Sequence, residues 1–166
     1  PRDVLLSQMH HYNFDTQKIS LEYILNETRF SYGSLEKKTF PEIISSWKNH
    51  FNSWYDFIKQ NNIGIIVRYE DIVSNPEINF MNILKYLLKE GKASINQEKF
   101  ANTLKSINIK NLKKIEIRDG FDERTSQDEL FFRSGKVNQW KEIIQPEIRK
   151  ILEQQLKDEM KLLKYL

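Results

Sequence analysis

Three stretches of the sequence combine residue types and spacings suited to holding an anion. In Phe131-Phe132-Arg133-Ser134-Gly135-Lys136-Val137-Asn138-Gln139-Trp140-Lys141, the glycine lets a backbone approach an anion closely, while Arg133 and either Lys136 or Lys141 supply charge-assisted donors. Phe131, Phe132 and Trp140 can pin such a loop, so the stretch reads as a phosphate clamp. Because no full phosphate-loop pattern is present, a solvated basic loop with aromatic anchors is the competing reading. Arg68-Tyr69-Glu70-Asp71 directly follows an apolar run. Ligands of open α/β sheets bind outside the carboxyl ends of strands, which places Tyr69 to meet one; otherwise Tyr69 caps the core and the acids start a turn. The opening Pro1-Arg2-Asp3-Val4-Leu5-Leu6-Ser7 reads as a proline-started helix whose first turn, with Arg2 and Ser7, can receive a phosphate. The alternative is that Ser7 is a small polar residue on a packed helix.

Other chemistries are excluded or disfavoured. With no cysteine, thiolate zinc sites, iron–sulfur clusters, disulfides and cysteine nucleophiles are impossible, and the redox compartment stays open. His10, His11 and His50 are the only histidines, and adjacent residues of a helix point to different sides, so no metal site is expected. Glu70 and Asp71 likewise diverge and make a poor acid/base pair. Lys110, Lys113 and Lys114 form a basic helical face that reads as solvated surface. The 26 Lys and Arg exceed the 23 Asp and Glu by only three, which suits an anionic ligand without demanding nucleic acid. No apolar run of about 18 residues is present, so no membrane-spanning helix is expected; the cytoplasm is, separately, the expected location.

These stretches must be positioned by a mostly helical framework. A chain of 166 residues can hide roughly 70% of its surface, enough for a real core. The string Thr39-Phe40-Pro41-Glu42 has capping-box spacing, and Ile43, Ile44, Trp47, Phe51, Trp54 and Ile58 then recur at helical spacing, predicting one helix to about Asn62 with its apolar face in the core. Asn75-Pro76-Glu77 opens another, lined by Phe80, Ile83, Leu84, Leu87 and Leu88 and stopped at Gly91. Ser94 with Gln97 predicts a cap before Phe100 and Leu104, and a last helix after Pro146 carries Ile148, Leu152, Leu156, Met160 and Leu163. Ile63-Gly64-Ile65-Ile66-Val67 is short, apolar and β-branched, as in strands covered on both faces of parallel sheets. One buried strand cannot make a sheet, and the chain starts at Pro1 without Met, so a truncated domain is expected. The weakly patterned stretch from Asp119 to Lys136 suits a lid or binding loop.

In this order, Pro1-Arg2-Asp3-Val4 followed by Ser7, Tyr69-Glu70-Asp71 with Asn75-Pro76 after it, Ser106 before a short basic helix, and Phe131-Phe132-Arg133-x-Gly135 with Trp140-Lys141 resemble the sulfotransferase family. The resemblance implies a P-loop-kinase-like α/β fold with a parallel sheet. Residues 1–166 would form the mostly helical C-terminal portion of a single domain, with one central strand. It implies 3′-phosphoadenylyl sulfate as cosubstrate, adenosine 3′,5′-bisphosphate as product, and a hydroxyl or amine acceptor, with neither metal nor nucleic acid. Carried over, Ser7 and Arg133 to Gly135, including Ser134, meet the 3′-phosphate, Tyr69 lies against adenine, and Ser106 is a further nucleotide contact. The sequence departs from the family where Ser134 replaces a lysine, Asn138-Gln139 replaces Gly-Asp, and Ile107 replaces an aromatic residue. Of a dimerisation string found in animal members only Lys141 remains, so that dimer is not expected. The family's phosphosulfate loop, lysine and catalytic histidine would precede Pro1. No catalytic residue is therefore expected within this chain, and alone it is expected to be inactive. Two rivals are a non-catalytic basic helical module binding nucleic acid or protein, and a degenerate family member.

Overall fold

Helical runs dominate this computed structural model, which describes residues 1–31, 40–88, 94–124 and 130–166. In chain order the elements are α1 (Arg2–His11), α2 (Gln17–Leu25), β1 (Phe30–Ser31), β2 (Glu42–Ile43), α3 (Trp47–Asn61), α4 (Tyr69–Ser74), α5 (Pro76–Leu87), α6 (Gln97–Ser106), α7 (Ile109–Asp119), α8 (Trp140–Ile143), α9 (Pro146–Gln155) and α10 (Lys157–Leu162). They divide into two units, Pro1–Gly64 with Gln139–Leu166, and Ile65–Asn138.

The first unit holds the main core. Ile148, Leu152, Leu156 and Met160 repeat at four-residue spacing, so α9 and α10 present one apolar stripe, and all four are buried. Against it pack Leu5 and Leu6 of α1, Leu21 and Ile24 of α2, and Trp140 and Ile144. Fully burying one such side chain contributes about 1.5–3 kcal/mol, so this shared core dominates the unit's stability. Buried Ser20 is satisfied by donating its hydroxyl to the Leu5 carbonyl at 2.7 Å. Thr16 caps α2 by accepting from the Ile19 N–H at 3.3 Å.

The start of α3 differs from the expectation. The helix begins at Trp47, capped by Ser46, whose hydroxyl accepts from the Asn49 N–H at 3.1 Å. Ser45 at φ +57° turns the chain just before it. Glu42 and Ile43, expected inside the helix, form β2 and pair antiparallel with β1, Phe30 opposite Ile43; Thr39 lies outside the described residues. Asn62 ends α3 in the left-handed conformation at φ +52°. Its apolar face is only partly covered: Trp47 packs on the core and stacks on Phe51 at 5.6 Å, while Trp54 is 56% exposed.

The expected central strand is a second difference. Residues 63–67 take no regular element: no ladder forms along them, Gly64 stands at φ +136°, and the only sheet among the described residues is the antiparallel pair β1–β2. Ile63, Ile65, Ile66 and Val67 are exposed, since a strand is covered only by neighbours that these residues do not find.

In the second unit, Arg68 forms a two-pronged pair with Asp71 at 2.7 and 2.6 Å across the first turn of α4. Asn75 and Pro76 then open α5 as expected, and Gly91 lies outside the described residues. Asn96, not Ser94, caps α6, accepting from the Lys99 N–H at 2.8 Å. Asn108 caps α7 likewise, accepting from the Asn111 N–H at 3.0 Å. Phe100 and Glu116 are the buried residues described in this unit.

Candidate functional site

One face of α7 carries Ile109, Leu112 and Glu116, at the i, i+3, i+7 spacing that brings residues into line. The segment 131–135 runs along that face. At one end the buried carboxylate of Glu116 accepts from the Phe131 N–H at 2.6 Å and the Phe132 N–H at 3.0 Å, with the Arg124 guanidinium 3.9 Å away. At the other, Gly135 sits at φ +63°, and a Cβ placed there would lie 3.1–3.2 Å from Ile109. Only glycine combines that backbone with so close an approach at little cost. The segment is thus antiparallel to α7 and tied to it at both ends. Phe121, Phe131 and Phe132 form a ring cluster with centroids 4.6–5.3 Å apart that covers the Glu116 end.

Between these ends lie two of the expected anion-binding residues, Arg133 and Ser134, both half-buried. The Ser134 hydroxyl accepts from the Lys136 N–H at 3.3 Å, closing a small turn around Gly135. Gly135 also lines a cavity of about 1030 Å³, shared with Tyr69 at the start of α4 and Asn108 and Ile109 at the start of α7. Most of the remaining wall is apolar, including Phe80, Leu84 and Phe100. Tyr69 is 53% exposed. Of the expected lid stretch, Gly135 lines the cavity, and residues 125–129 lie outside the described residues.

Tyr69 and Gly135 are therefore brought to one cavity, with Arg133 and Ser134 in the segment leading to it. Ser106 is not on the cavity wall: it ends α6, is exposed, and donates its hydroxyl to the Thr103 carbonyl at 2.7 Å. The wall instead takes Ile107, Asn108 and Ile109 from this turn. Sequence reasoning missed Asn108 and Glu116. Asn108 was legible as an N-cap before Ile109 and Leu112. Glu116 carried no signal, being one charged residue in a charged helix.

In the first unit, Ser7 is exposed on α1. Arg2 is not offered to a phosphate. Its guanidinium donates to Glu153 at 2.8 Å and to the Tyr165 carbonyl at 3.0 Å, and lies 3.8 Å from the centroid of Trp140. Arg149 covers the same ring at 4.6 Å and also pairs with Glu153, at 2.9 Å. Burial pushes the Glu153 carboxyl up, but the hydrogen bonds from Arg149 and Arg2 outweigh it and hold the group below the ordinary carboxylate range. The Asp3 carboxylate accepts from the Trp140 N–H at 3.0 Å, so the end of the Trp140-Lys141 motif is fastened to α1.

The arrangement suits a ligand with a flat ring and a separate anionic group: an aromatic side chain and a glycine-bearing basic segment border one cavity. Comparison with known proteins gives that geometry a context. The sulfotransferase domain model matches residues 1–164. Cytosolic sulfotransferase 7 of Arabidopsis thaliana is 24% identical over 159 residues, covering 92% of this chain and 46% of the relative. Cytosolic sulfotransferase 11 of the same plant is 24% identical over 113 residues, covering 65% of this chain and 31% of the relative. Among solved structures, mouse sulfotransferase SULT7A1 complexed with PAP superposes with a TM-score of 0.69 at 20% identity, covering 96% of this chain and 55% of that one. The fold is thus that of sulfotransferases, and the chain spans about half the length of the relatives it matches. With a family model aligned along nearly its whole length, the chain belongs to the sulfotransferase family.

Proposed function

We propose that the protein is a sulfotransferase that moves a sulfuryl group from 3′-phosphoadenylyl sulfate to a hydroxyl or amine acceptor, with this chain supplying the adenine and 3′-phosphate side of the nucleotide site. The observation that carries this reading is the meeting of Tyr69 and Gly135 at one cavity, with Arg133 and Ser134 adjoining. The donor's extra 3′-phosphate needs an anion site of its own, apart from the one that holds the phosphosulfate. Arg133 supplies the charged donors, Ser134 a hydroxyl and Gly135 an unobstructed backbone. Gly135 also packs on the first turn of α7, where the helix dipole favours negative charge. Tyr69 offers a ring for adenine. Ser7 and Ser106 belong to the site on the family resemblance alone. The plant relatives' designation as cytosolic supports a cytoplasmic location, and among the described residues no helix is long and apolar enough to cross a membrane.

Thermal unfolding with adenosine 3′,5′-bisphosphate tests the reading. Ligand at 100 times Kd stabilises by about 2.7 kcal/mol, which is roughly 5–10 °C for a protein of this size. The shift is expected to shrink in Arg133→Ala, with affinity falling at least about tenfold for loss of a charged hydrogen-bond donor. An absent shift, or one unchanged in Arg133→Ala, counts against the proposal. A steeply salt-dependent affinity for polynucleotide without response to the bisphosphate favours a basic binding module instead.

A further inference from the structure

We infer that Glu116 is a positioning residue for 3′-phosphate recognition: its buried carboxylate fixes the backbone of Phe131 and Phe132 so that the next three residues, Arg133 to Gly135, are held ready for the anion. The inference rests on the proposed nucleotide site and adds to it a residue that touches no ligand.

Glu116 is 1% exposed, and a carboxylate taken that far from water must be compensated by its surroundings. Its two oxygens are used by two consecutive backbone N–H groups, at 2.6 and 3.0 Å, and Arg124 approaches Oε1 at 3.9 Å. Consecutive N–H groups of an extended chain point in opposite directions. Aiming both at one side chain forces a bend at 131–132, and here the Arg133 N–H donates to the Phe131 carbonyl at 2.9 Å, closing that bend. Arg133 therefore leaves the bend in a direction set by Glu116, and Gly135 is caught on Ile109 two residues later. Without the carboxylate the segment loses the two hydrogen bonds that set this bend, while the ring cluster and the contact at Gly135 stay. An anion site whose donors must first be ordered binds more weakly by the cost of that ordering.

No neutral side chain reproduces this. Glutamine has the same shape, but it presents one acceptor and one donor to two N–H groups, so one is left facing an N–H of its own kind. The test compares adenosine 3′,5′-bisphosphate with adenosine 5′-phosphate, which lacks the 3′ group, by calorimetric titration of the wild-type protein and Glu116→Gln. The wild type is expected to prefer the bisphosphate. In Glu116→Gln the bisphosphate Kd should rise about tenfold or more while the 5′-phosphate Kd stays within about twofold, so the preference collapses. A general loss of structure would raise both constants together, and that outcome, like an unchanged preference, overturns the inference. A wild type with no preference for the bisphosphate instead sinks the site itself. If Glu116→Gln does not fold, Glu116→Asp is read in the same way, and hydrogen exchange of the wild type is measured beside it. The Phe131 and Phe132 amides should exchange slowly despite lying in a loop, and fast exchange there overturns the inference.

Discussion

Asn138 holds its backbone at φ +63°, the left-handed region that glycine enters freely and asparagine tolerates best among the other residues. It stands where the sulfotransferase pattern has glycine, so the departure preserves the turn. Asn138→Gly should leave the melting temperature nearly unchanged. Asn138→Val should cost about 1–2 kcal/mol, seen as a lowered denaturation midpoint. Gly135 is held more tightly still. Its backbone is left-handed and the Ile109 side chain closes over the place of a Cβ. Gly135→Ala therefore meets both strain and crowding. Part of its destabilisation should be relieved in an Ile109→Val background, and a double-mutant cycle showing plain additivity would refute that account.

Among the elements, α1, α8 and α9 are joined by the cluster of Arg2, Trp140, Arg149 and Glu153. Because its folded pKa lies below the unfolded value of about 4.3, Glu153 contributes stability above that pH and loses it as pH falls through the folded pKa. Glu153→Gln should lower stability by about 1–2 kcal/mol at neutral pH and flatten the acid limb of the stability profile below about pH 4. An acid limb identical to wild type would show that the pair with Arg2 and Arg149 contributes nothing. This scale also shows what could be read from sequence. The stripe from Ile148 to Met160 was legible because helices are made of local contacts, and its four-residue repeat is visible in one dimension. The Tyr69 and Arg133 to Gly135 stretches were legible as residue types with a chemical use. The fate of 63–67 was not, since β structure depends on a neighbour that the run itself does not specify. Nor was Glu116, whose role arises only when a loop 15 positions away folds against it.

At the scale of the whole molecule, the chain corresponds to 46% of one plant relative and 55% of the mouse structure it resembles. Sulfuryl transfer needs a base to take the acceptor's proton and a cation to neutralise the leaving phosphate, and base catalysis alone is typically worth 10²–10⁴-fold. In the proposed reading these 166 residues hold the adenine and 3′-phosphate side of the nucleotide, so they are expected to bind adenosine 3′,5′-bisphosphate without sulfating an acceptor. Labelled product formed by this chain alone would show that the catalytic groups lie within it. The apolar run from Ile63 to Val67 has a practical side at this scale. A run of exposed, β-branched residues outside any ladder is a template for strand addition between molecules. Purified in this form, the protein should aggregate at rising concentration and temperature, and a lysine at Ile65 should act as a gatekeeper that keeps it in solution.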